Sequence, residues 1–169
     1  MTEPMYAAAD QPDIFADDAD DTGSIDAVLR ALYEGLSFPA DGSPDWERVR
    51  RLFLPTAQLF PPRADASARA VGVDVDTWIS ESTQNLRSGR SPLTVDGFQE
   101  EELSRRTHRY ANIAQVFSVY QAKHVQGEDP LLHRGVNAVQ LVRSHGRWWI
   151  ASILWAVERD ESPLPADLL

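Results

Sequence analysis

The sequence contains no cysteine and only one lysine, Lys123, among its 169 residues. Without cysteine, disulfides, thiolate nucleophiles and cysteine-ligated zinc are excluded. The single lysine argues against Schiff-base chemistry anywhere else in the chain. Long hydrophobic runs are also missing, since the longest strongly apolar stretch covers residues 148–157. That stretch is about half of a membrane span, so the sequence predicts no transmembrane helix.

Positive charge is absent from the first 23 residues, which carry seven carboxylates and no lysine or arginine. This segment supplies most of the formal net charge of −10 and has few large apolar side chains. We therefore expect residues 1–23 to be a disordered acidic tail. Its carboxylates lack the glycine and the spacing of a calcium loop, so a solubilising role is favoured over metal binding.

The same features bear on the location and partners of the protein. The N-terminus has neither a basic region nor an apolar core, and so does not match a secretory signal. A pI near 4.7 argues against a nucleic-acid footprint. We expect a cytoplasmic protein that binds neither nucleic acid nor a membrane.

Hydrophobic periodicity predicts three helices followed by a run of strands. Ser24 is a suitable N-cap for a first helix that ends near Pro39. Pro44 stands at the start of a second helix, which Pro55 stops. Asp74 caps the third helix. Strands are expected at 57–60, 98–107, 112–126, 131–143 and 147–157.

Helices that precede a run of long antiparallel strands indicate an α+β fold with the helices on one face of the sheet. The body, residues 24–158, is of the length of one domain. Residues 159–169 are then a C-terminal extension.

The turns between the long strands set the register and so divide the side chains between two faces. His145-Gly146 suits a tight type I′ turn that pairs Val139 with Ser152, and the preceding hairpin would pair Tyr120 with Asn137. One face is then mostly apolar with a few hydrogen-bonding groups, which is typical of a ligand pocket. The candidate pocket residues, including two from the helices, are Tyr33, Trp78, Ser118, Tyr120, Asn137 and Ser152.

The opposite face mixes glutamines with large apolar side chains, as surfaces that meet another subunit do. The predicted dimer face comprises Gln115, Phe117, Gln140, Trp149, Ile153 and Trp155. This much apolar surface would not remain in water, so we expect a homodimer.

Three segments carry a family resemblance: DWERVRRLFLPTAQLF at 45–60, the capped third helix, and GRWWIASILW at 146–155. Together they resemble the nuclear transport factor two-like superfamily, and its SnoaL-like branch most of all. The resemblance covers roughly residues 24–158. It implies a strongly curved mixed or antiparallel sheet that wraps the helices into a cone with a hydrophobic pocket, and many members dimerise through the outer sheet face.

Known functions in that superfamily are ketosteroid isomerase, scytalone dehydratase, epoxide hydrolase, polyketide cyclase and non-catalytic transport or hub domains. Ketosteroid isomerases, which are similar over the second helix and first strand, carry a catalytic Asp just before a proline at the strand end. This chain has Phe60-Pro61 there. Their oxyanion tyrosine aligns with Leu32, next to Tyr33. The resemblance therefore transfers no catalytic set, and we expect no cofactor.

Two other groups of titratable side chains are candidates for chemistry. His124 and His133 are expected side by side across a hairpin, but no third ligand is spaced to complete a metal site. We interpret them as rim or surface histidines and predict no metal. Strand alternation places Glu100 and Glu102 on one face and Glu101 on the other. A charged edge strand that discourages pairing with other chains explains them without chemistry.

The sequence favours a SnoaL-like small-molecule-binding domain whose ligand is apolar with one or two polar groups. One alternative is an enzyme of the same fold, a dehydratase, isomerase or polyketide cyclase, that uses Tyr120 as an acid or hydrogen-bond donor. The other alternative is a structural domain whose outer face forms a homodimer. A titratable base inside the cone would separate the first interpretation from the second.

Overall fold

A computed structural model gives the structure of residues 19–62, 69–88, 93–126 and 131–168. These residues form an α+β fold with the helices N-terminal to most of the strands, as predicted. The α-helices are α1 (Ala19–Thr22), α2 (Ile25–Leu36), α3 (Trp46–Arg50), α4 (Val75–Arg87) and α5 (Leu93–Asp96). The strands are β1 (Phe53–Phe60), β2 (Gln99–Tyr110), β3 (Ile113–Lys123), β4 (Leu131–Ser144) and β5 (Arg147–Val157). A 3₁₀ helix at Ala166–Leu168 follows.

The five strands form one curved mixed sheet in the order β1-β5-β4-β3-β2. β1 runs parallel to β5, and the other neighbours are antiparallel. The polar strand β2 therefore lies at the sheet margin, as its composition predicts. None of the helices that the structure describes is both long and apolar enough to cross a membrane.

The helix α2 packs its apolar stripe against the inner face of the sheet. Ser24 caps it, because the Ser24 side chain accepts a hydrogen bond from the Ala27 amide at 3.1 Å. Val28, Leu29 and Leu32 are almost completely buried in the core. Burying such side chains contributes roughly 1.5–3 kcal/mol each, so packing rather than intrinsic helix propensity fixes this helix.

The second predicted helix is shorter than expected. Asp45 caps α3, which ends at Arg50, and the chain enters β1 at Phe53. Pro55, predicted to stop a helix, lies inside that strand. In the part of the chain that the structure describes, β5 is the one neighbour of β1 in the sheet, and the bridge to Val73 is made by Leu59, four residues beyond Pro55, so the missing amide hydrogen of a proline is tolerated there.

The predicted register fails midway along the β4–β5 hairpin. Ser144 pairs with Arg147 as expected, but the pairing shifts by one residue next to Gln140, so that Val139 faces Ile153 instead of Ser152. Such a β-bulge exchanges the two faces for the rest of the strand. The predicted pocket residue Ser152 consequently lies on the outer face, which corrects its assignment.

The β3–β4 pairing differs from the prediction by two residues rather than one. Ser118 pairs with Asn137 and Tyr120 pairs with Gly135, whereas Tyr120 was expected opposite Asn137. Because side chains alternate with a period of two, all these residues keep the face that the sequence predicts. The loop at 127–130, which set the predicted register, lies outside the described residues.

The C-terminal extension packs on the outer face of the sheet beside β2 and β3. The Ser104 hydroxyl and the Arg106 guanidinium hydrogen-bond to the backbone carbonyls of Leu168 and Asp167. Val119, which points to the outer face opposite Ser104, has no exposed surface. The extension thus covers part of the face that the sequence assigns to a dimer.

The end of the predicted acidic tail is helical. Arg48 holds Asp21 with two hydrogen bonds of 2.8 and 2.9 Å, and this pairing holds the pKa of Asp21 below its usual value. Thr22 is 2% exposed. Residues 1–18 of the predicted tail lie outside the described residues, so their disorder stays a prediction.

Candidate functional site

The inner face of the sheet, together with α2 and α4, lines a partly open cavity of about 130 Å³. Its wall is mostly apolar. Besides two tryptophans it contains four side chains that can form hydrogen bonds: Glu100, Tyr120, His133 and Asn137. The lining residues are Leu32, Leu36, Leu59, Trp78, Glu100, Tyr120, His133, Asn137, Ile153 and Trp155. A largely apolar wall with a few polar groups is the usual composition of a small-molecule site.

The carboxyl group in this wall belongs to Glu100 on β2. The end of α2 fixes its backbone, because the Glu100 amide donates to the Ser37 hydroxyl at 3.0 Å. Burial raises the pKa of Glu100 to about 7, and a hydrogen bond from Asn137 opposes that rise. Near neutral pH, therefore, the protonated and ionised forms of Glu100 are both populated.

Tyr120 and His133 form the opposite polar part of the wall. The two rings meet edge to face, with centroids 5.9 Å apart. Burial, followed by the nearby Glu100 carboxylate, raises the pKa of Tyr120, and burial lowers the pKa of His133. Tyr120 thus keeps its proton and His133 favours its neutral form. Among the described residues, none hydrogen-bonds to the Tyr120 hydroxyl, which leaves this donor available to a ligand.

Asn137 connects the cavity to a set of hydrogen bonds behind it. Its Nδ2 donates to the Tyr33 hydroxyl at 3.1 Å, and that hydroxyl lies 2.6 Å from the Ser118 Oγ. Ser118 in turn donates to Glu102 at 2.5 Å. Burial raises the pKa of Tyr33, so the phenol remains protonated. This set lies between the cavity and an open groove of about 640 Å³ along α2 and β2, which Tyr33, Glu100 and Glu102 also line.

Tryptophans close the apolar side of the cavity. Trp78 of α4 meets Trp155 of β5 edge to face at 6.4 Å, and Trp46 of α3 continues the stack against Trp78 at 5.5 Å. Edge-to-face pairs at these distances are favourable, because the positive edge of one ring meets the negative face of the other. This packing holds α4 against β5 and α3 beside the cavity.

Most of the predicted pocket residues lie at or next to the cavity. Trp78, Tyr120 and Asn137 line it. Tyr33 and Ser118 lie one step further out, where they are hydrogen-bonded to each other. Ser152 is on the outer face, with its hydroxyl 3.2 Å from the Gln140 side chain. That a ligand binds in the cavity stays a prediction.

Sequence reasoning missed two titratable residues of the cavity, Glu100 and His133. The edge-strand interpretation of the glutamates does not fit Glu100, which faces the cavity, although Glu101 does lie outside and pairs with Lys123 at 2.9 Å. The signal was available for His133, since it is four residues from Asn137 on one strand and so shares its face. For Glu100 no such signal was available, because its position follows from the β2–β3 register, which pairs Glu102 with Tyr120.

The expected pairing of two histidines across the β3–β4 hairpin is wrong. His133 pairs with Ala122, because the β3–β4 register differs by two residues from the predicted one, so His124 is not opposite it. His133 lines the cavity, so it is not a surface histidine. In the described part of the chain, no three His, Cys, Asp or Glu side chains cluster as metal ligands would.

The predicted dimer face is divided by the same β-bulge. Gln115, Phe117 and Gln140 are exposed on the outer face, as expected. Ile153 and Trp155 are turned inward to the cavity, so their assignment to the dimer face is wrong. Trp149 is on the outer face but is only 9% exposed, and the Arg147 guanidinium stacks on it 3.9 Å from the ring centre.

Comparison with known proteins identifies the fold. No model of a protein family matches the sequence, and no curated protein matches it. Solved structures do match. A nuclear transport factor two-like protein with a cystatin-like fold from Novosphingobium aromaticivorans aligns with TM-score 0.54 at 11% identity, over 73% of each chain. A protein of unknown function with a cystatin-like fold from Nostoc punctiforme aligns with TM-score 0.53 at 9% identity, over 69% of this chain and 78% of that one.

A third structure, from Catenulispora acidiphila, aligns with TM-score 0.53 at 13% identity, over 76% of this chain and 82% of that one. Identities this low identify the fold alone. The chain thus has the cystatin-like α+β fold of nuclear transport factor two-like proteins, as its sequence predicts. Fold by itself assigns no reaction, so a function has to be argued from the cavity.

Proposed function

We propose that the protein binds a small, mostly apolar molecule bearing a carbonyl or hydroxyl group in the cavity, and that Glu100 exchanges a proton with it. The observation that carries this proposal is the position of a carboxyl with a pKa of about 7 in the wall of a largely apolar cavity. A general acid or base works best when its pKa lies near the working pH. The reaction class is proton transfer, as in an isomerase or dehydratase.

Tyr120 and Glu100 have complementary roles in such a reaction. The carboxylate would remove a proton from the carbon next to a carbonyl, forming the O–H bond of Glu100 and leaving an enolate. The Tyr120 hydroxyl, which has no partner among the described residues, would donate to the enolate oxygen. Such a donor aimed at developing negative charge stabilises the transition state. Neutral His133 would remain a second hydrogen-bonding group for the ligand.

The cavity volume limits the size of the ligand. Apolar cavities of about 150 Å³ accept a single six-membered ring, and this cavity is of similar size at about 130 Å³. A monocyclic ligand, or one ring of a larger molecule whose remainder extends outward, fits this space. The tryptophan pair at its side, Trp78 and Trp155, supplies a wall suited to a flat ring.

The proposal can be tested without the natural substrate. The probe is cyclohexanone, whose α-protons are exchanged for deuterium in D₂O. We expect the wild-type protein to accelerate exchange, measured by loss of the α-proton NMR signal. Glu100→Gln should abolish the acceleration, because an amide cannot accept the proton. Glu101→Gln is the matched control: it changes the neighbouring glutamate, which lies on the outer face with Lys123, and should exchange at the wild-type rate.

Binding is tested separately from catalysis. Leu36→Phe places extra volume in the cavity wall and should abolish the chemical-shift changes that cyclohexanone causes in the protein. Leu154→Phe, with the same change on the outer face, should leave them intact. Binding without exchange would favour the non-catalytic small-molecule domain. Absence of both, with correctly folded protein, would contradict the proposal and leave a structural dimerisation role.

A further inference from the structure

Four polar side chains form a continuous hydrogen-bond chain behind the cavity, which we call the relay: Asn137, Tyr33, Ser118 and Glu102. At its inner end Asn137 lines the same cavity as Glu100, and the Asn137 amide lowers the pKa of that carboxyl. At its outer end Glu102 meets Arg105, whose Nε lies 3.4 Å from the second carboxylate oxygen of Glu102. The relay therefore joins the cavity carboxyl to an ion pair in the open groove.

The direction of every hydrogen bond in the relay follows from the charge of Glu102. An ionised carboxylate can only accept, so the Ser118 hydroxyl must donate to it. Ser118 has a single hydrogen, so it must accept from the Tyr33 hydroxyl. The Tyr33 hydrogen is then used, and this hydroxyl can accept only from the amide of Asn137. The amide nitrogen of Asn137 is thereby turned toward Tyr33, and a donating Asn137 amide accounts for the lowering of the Glu100 pKa.

We propose that the charge of Glu102 regulates Glu100 by setting, through Ser118 and Tyr33, which end of the Asn137 amide faces the cavity carboxyl. With Glu102 ionised, Asn137 donates and stabilises a carboxylate at Glu100. This inference rests on the proposed function for its significance, since it concerns the group that would exchange the proton. It adds the regulation of that group by a residue in the groove.

The relay can exist in a second arrangement, because hydroxyls and amides both donate and accept. If Glu102 is neutral, Ser118 can accept from residue 102 and donate to Tyr33. Tyr33 then donates to the amide oxygen of Asn137, whose amide is flipped within the same volume. That oxygen now faces Glu100 and favours its protonated form, which can donate to it. The two arrangements differ in the sense of every bond.

Other groups around the two carboxyls act in a known direction. Glu100 is faced by Tyr33 from α2, by Tyr120 from β3, and by His133 from β4. Glu102 is faced by Arg105, which also pairs with Asp26 of α2 at 3.0 Å. Charge alone predicts that removing the negative charge of Glu102 would make Glu100 easier to ionise, since like charges disfavour each other. The relay predicts the opposite sign.

Glu102→Gln tests that sign in the full, ligand-free protein. Arg105 can only donate, so the amide oxygen of the substituted side chain turns to Arg105 and the amide NH₂ faces Ser118. This reverses the relay. In protein with ¹³C-labelled glutamate carboxyls, we expect the NMR titration midpoint of Glu100 to rise by about one pH unit relative to wild type. An unchanged or lowered midpoint would overturn the proposal.

Two further variants interrupt the relay without touching Glu102. Ser118→Ala frees the Tyr33 hydrogen to donate to the Asn137 oxygen, so the Glu100 midpoint should again rise. Tyr33→Phe disconnects Asn137, and adding Glu102→Gln to it should cause no upward shift. An upward shift of the same size in the Tyr33→Phe background would show that the effect does not pass through the relay, and so would overturn it.

Asp26→Asn is the matched charge control. It removes a carboxylate from the other side of Arg105, outside the relay, and should not raise the Glu100 midpoint. The wild-type midpoint and the variant differences report on different claims. A wild-type Glu100 that titrates as an ordinary glutamate would contradict the proposed function, whereas the sign of the change in Glu102→Gln decides the relay.

Discussion

The Tyr120 ring lies directly across Gly135, its neighbour on β4. A Cβ atom at residue 135 would come within 2.7 Å of the Tyr120 hydroxyl oxygen and would also collide with the carbonyl oxygen of Ala156. Real Cβ contacts are essentially never this close. The absence of a side chain at Gly135 therefore gives the Tyr120 hydroxyl its position at the cavity wall.

We expect Gly135→Ala to displace Tyr120 and to destabilise the fold by about 1–3 kcal/mol, the usual cost of overpacking a well-packed site. Cyclohexanone exchange should fall with it, since the donor to the enolate moves. Urea unfolding gives the stability and proton NMR gives the exchange rate.

Gly146→Ala is the control for this variant. Gly146 has a φ of 81° and open space around its Cα, so alanine there is disfavoured by backbone conformation alone. This change should lower stability by about 1–2 kcal/mol and leave exchange at the wild-type rate. The alternative outcome is that Gly135→Ala catalyses cyclohexanone exchange at the wild-type rate although it is destabilised as much as Gly146→Ala. Gly135 would then not be the residue that positions Tyr120.

The pH dependence of stability should be governed partly by Glu100. Folding raises its pKa from 4.5 to about 7, so the folded state binds this proton more tightly than the unfolded state. The stabilisation is complete below the unfolded pKa and is lost as pH rises through 7. At about 1.4 kcal/mol per pKa unit, the loss amounts to roughly 3 kcal/mol.

Glu100→Gln removes this titration. We measure the free energy of unfolding of both proteins in urea between pH 4.5 and 8. The value for Glu100→Gln minus the value for the wild type should increase by roughly 3 kcal/mol over this range. Burial also lowers the pKa of His133. The stability linked to that shift is present above the unfolded pKa of His133 and is lost as pH falls through the lower folded pKa. This pH dependence has the opposite sign to that of Glu100 and is the same in both proteins. Glu101→Gln should show no gain with pH, because pairing with Gln121 and Lys123 lowers the pKa of Glu101.

Local signals in this chain predicted local structure well. The caps at Ser24 and Asp74 satisfy backbone amides within three residues, so the sequence alone is enough to place the starts of α2 and α4. The β-bulge next to Gln140 had no such signal. Residues 148–156 of β5 read WWIASILWA, with large apolar side chains on both faces. Because polar and apolar residues do not alternate there, the sequence does not show which residues face inward, and a one-residue slip leaves no trace in it.

The site shows the same limit. Tyr120, Asn137 and Trp78 could be assigned to the pocket from alternation and helix periodicity, because those depend on neighbours along one element. Glu100 reaches the cavity only through the β2–β3 pairing, in which a register shift between Glu102 and Ser104 intervenes. Long-range register of an edge strand is a tertiary property that its polar composition does not encode.

The C-terminal segment should contribute to stability through Val119. This residue is fully buried although it lies on the outer face, and the hydrogen bond from Ser104 to the Leu168 carbonyl lies beside it. We expect Val119→Thr to cost about 1–3 kcal/mol in the full chain, since a buried hydroxyl lacks a partner.

In a chain ending at residue 161, the same substitution should cost much less, because position 119 is then exposed to water. Urea unfolding of the four proteins completes a double-mutant cycle. Equal costs of Val119→Thr in both backgrounds would mean that another part of the protein covers this residue.

We also propose that the exposed outer face forms a homodimer. Phe117, Ala138 and Leu154 form one row across three strands, and the next row is Gln115, Gln140 and Ser152. Phe117 and Leu154 are 40% and 47% exposed. The two rows carry no charge, so a second copy of the same neutral face is a better match than a charged partner.

Light scattering during gel filtration should therefore give twice the chain mass. Phe117→Glu with Leu154→Glu should convert the dimer to a monomer, because two carboxylates on each face would meet their copies without compensating charge. Tyr110→Glu, a substitution of a residue 81% exposed at the end of β2, should leave the dimer intact. A wild-type protein that remains monomeric at high micromolar concentration would contradict the proposal, since the apolar row would then be stable in water.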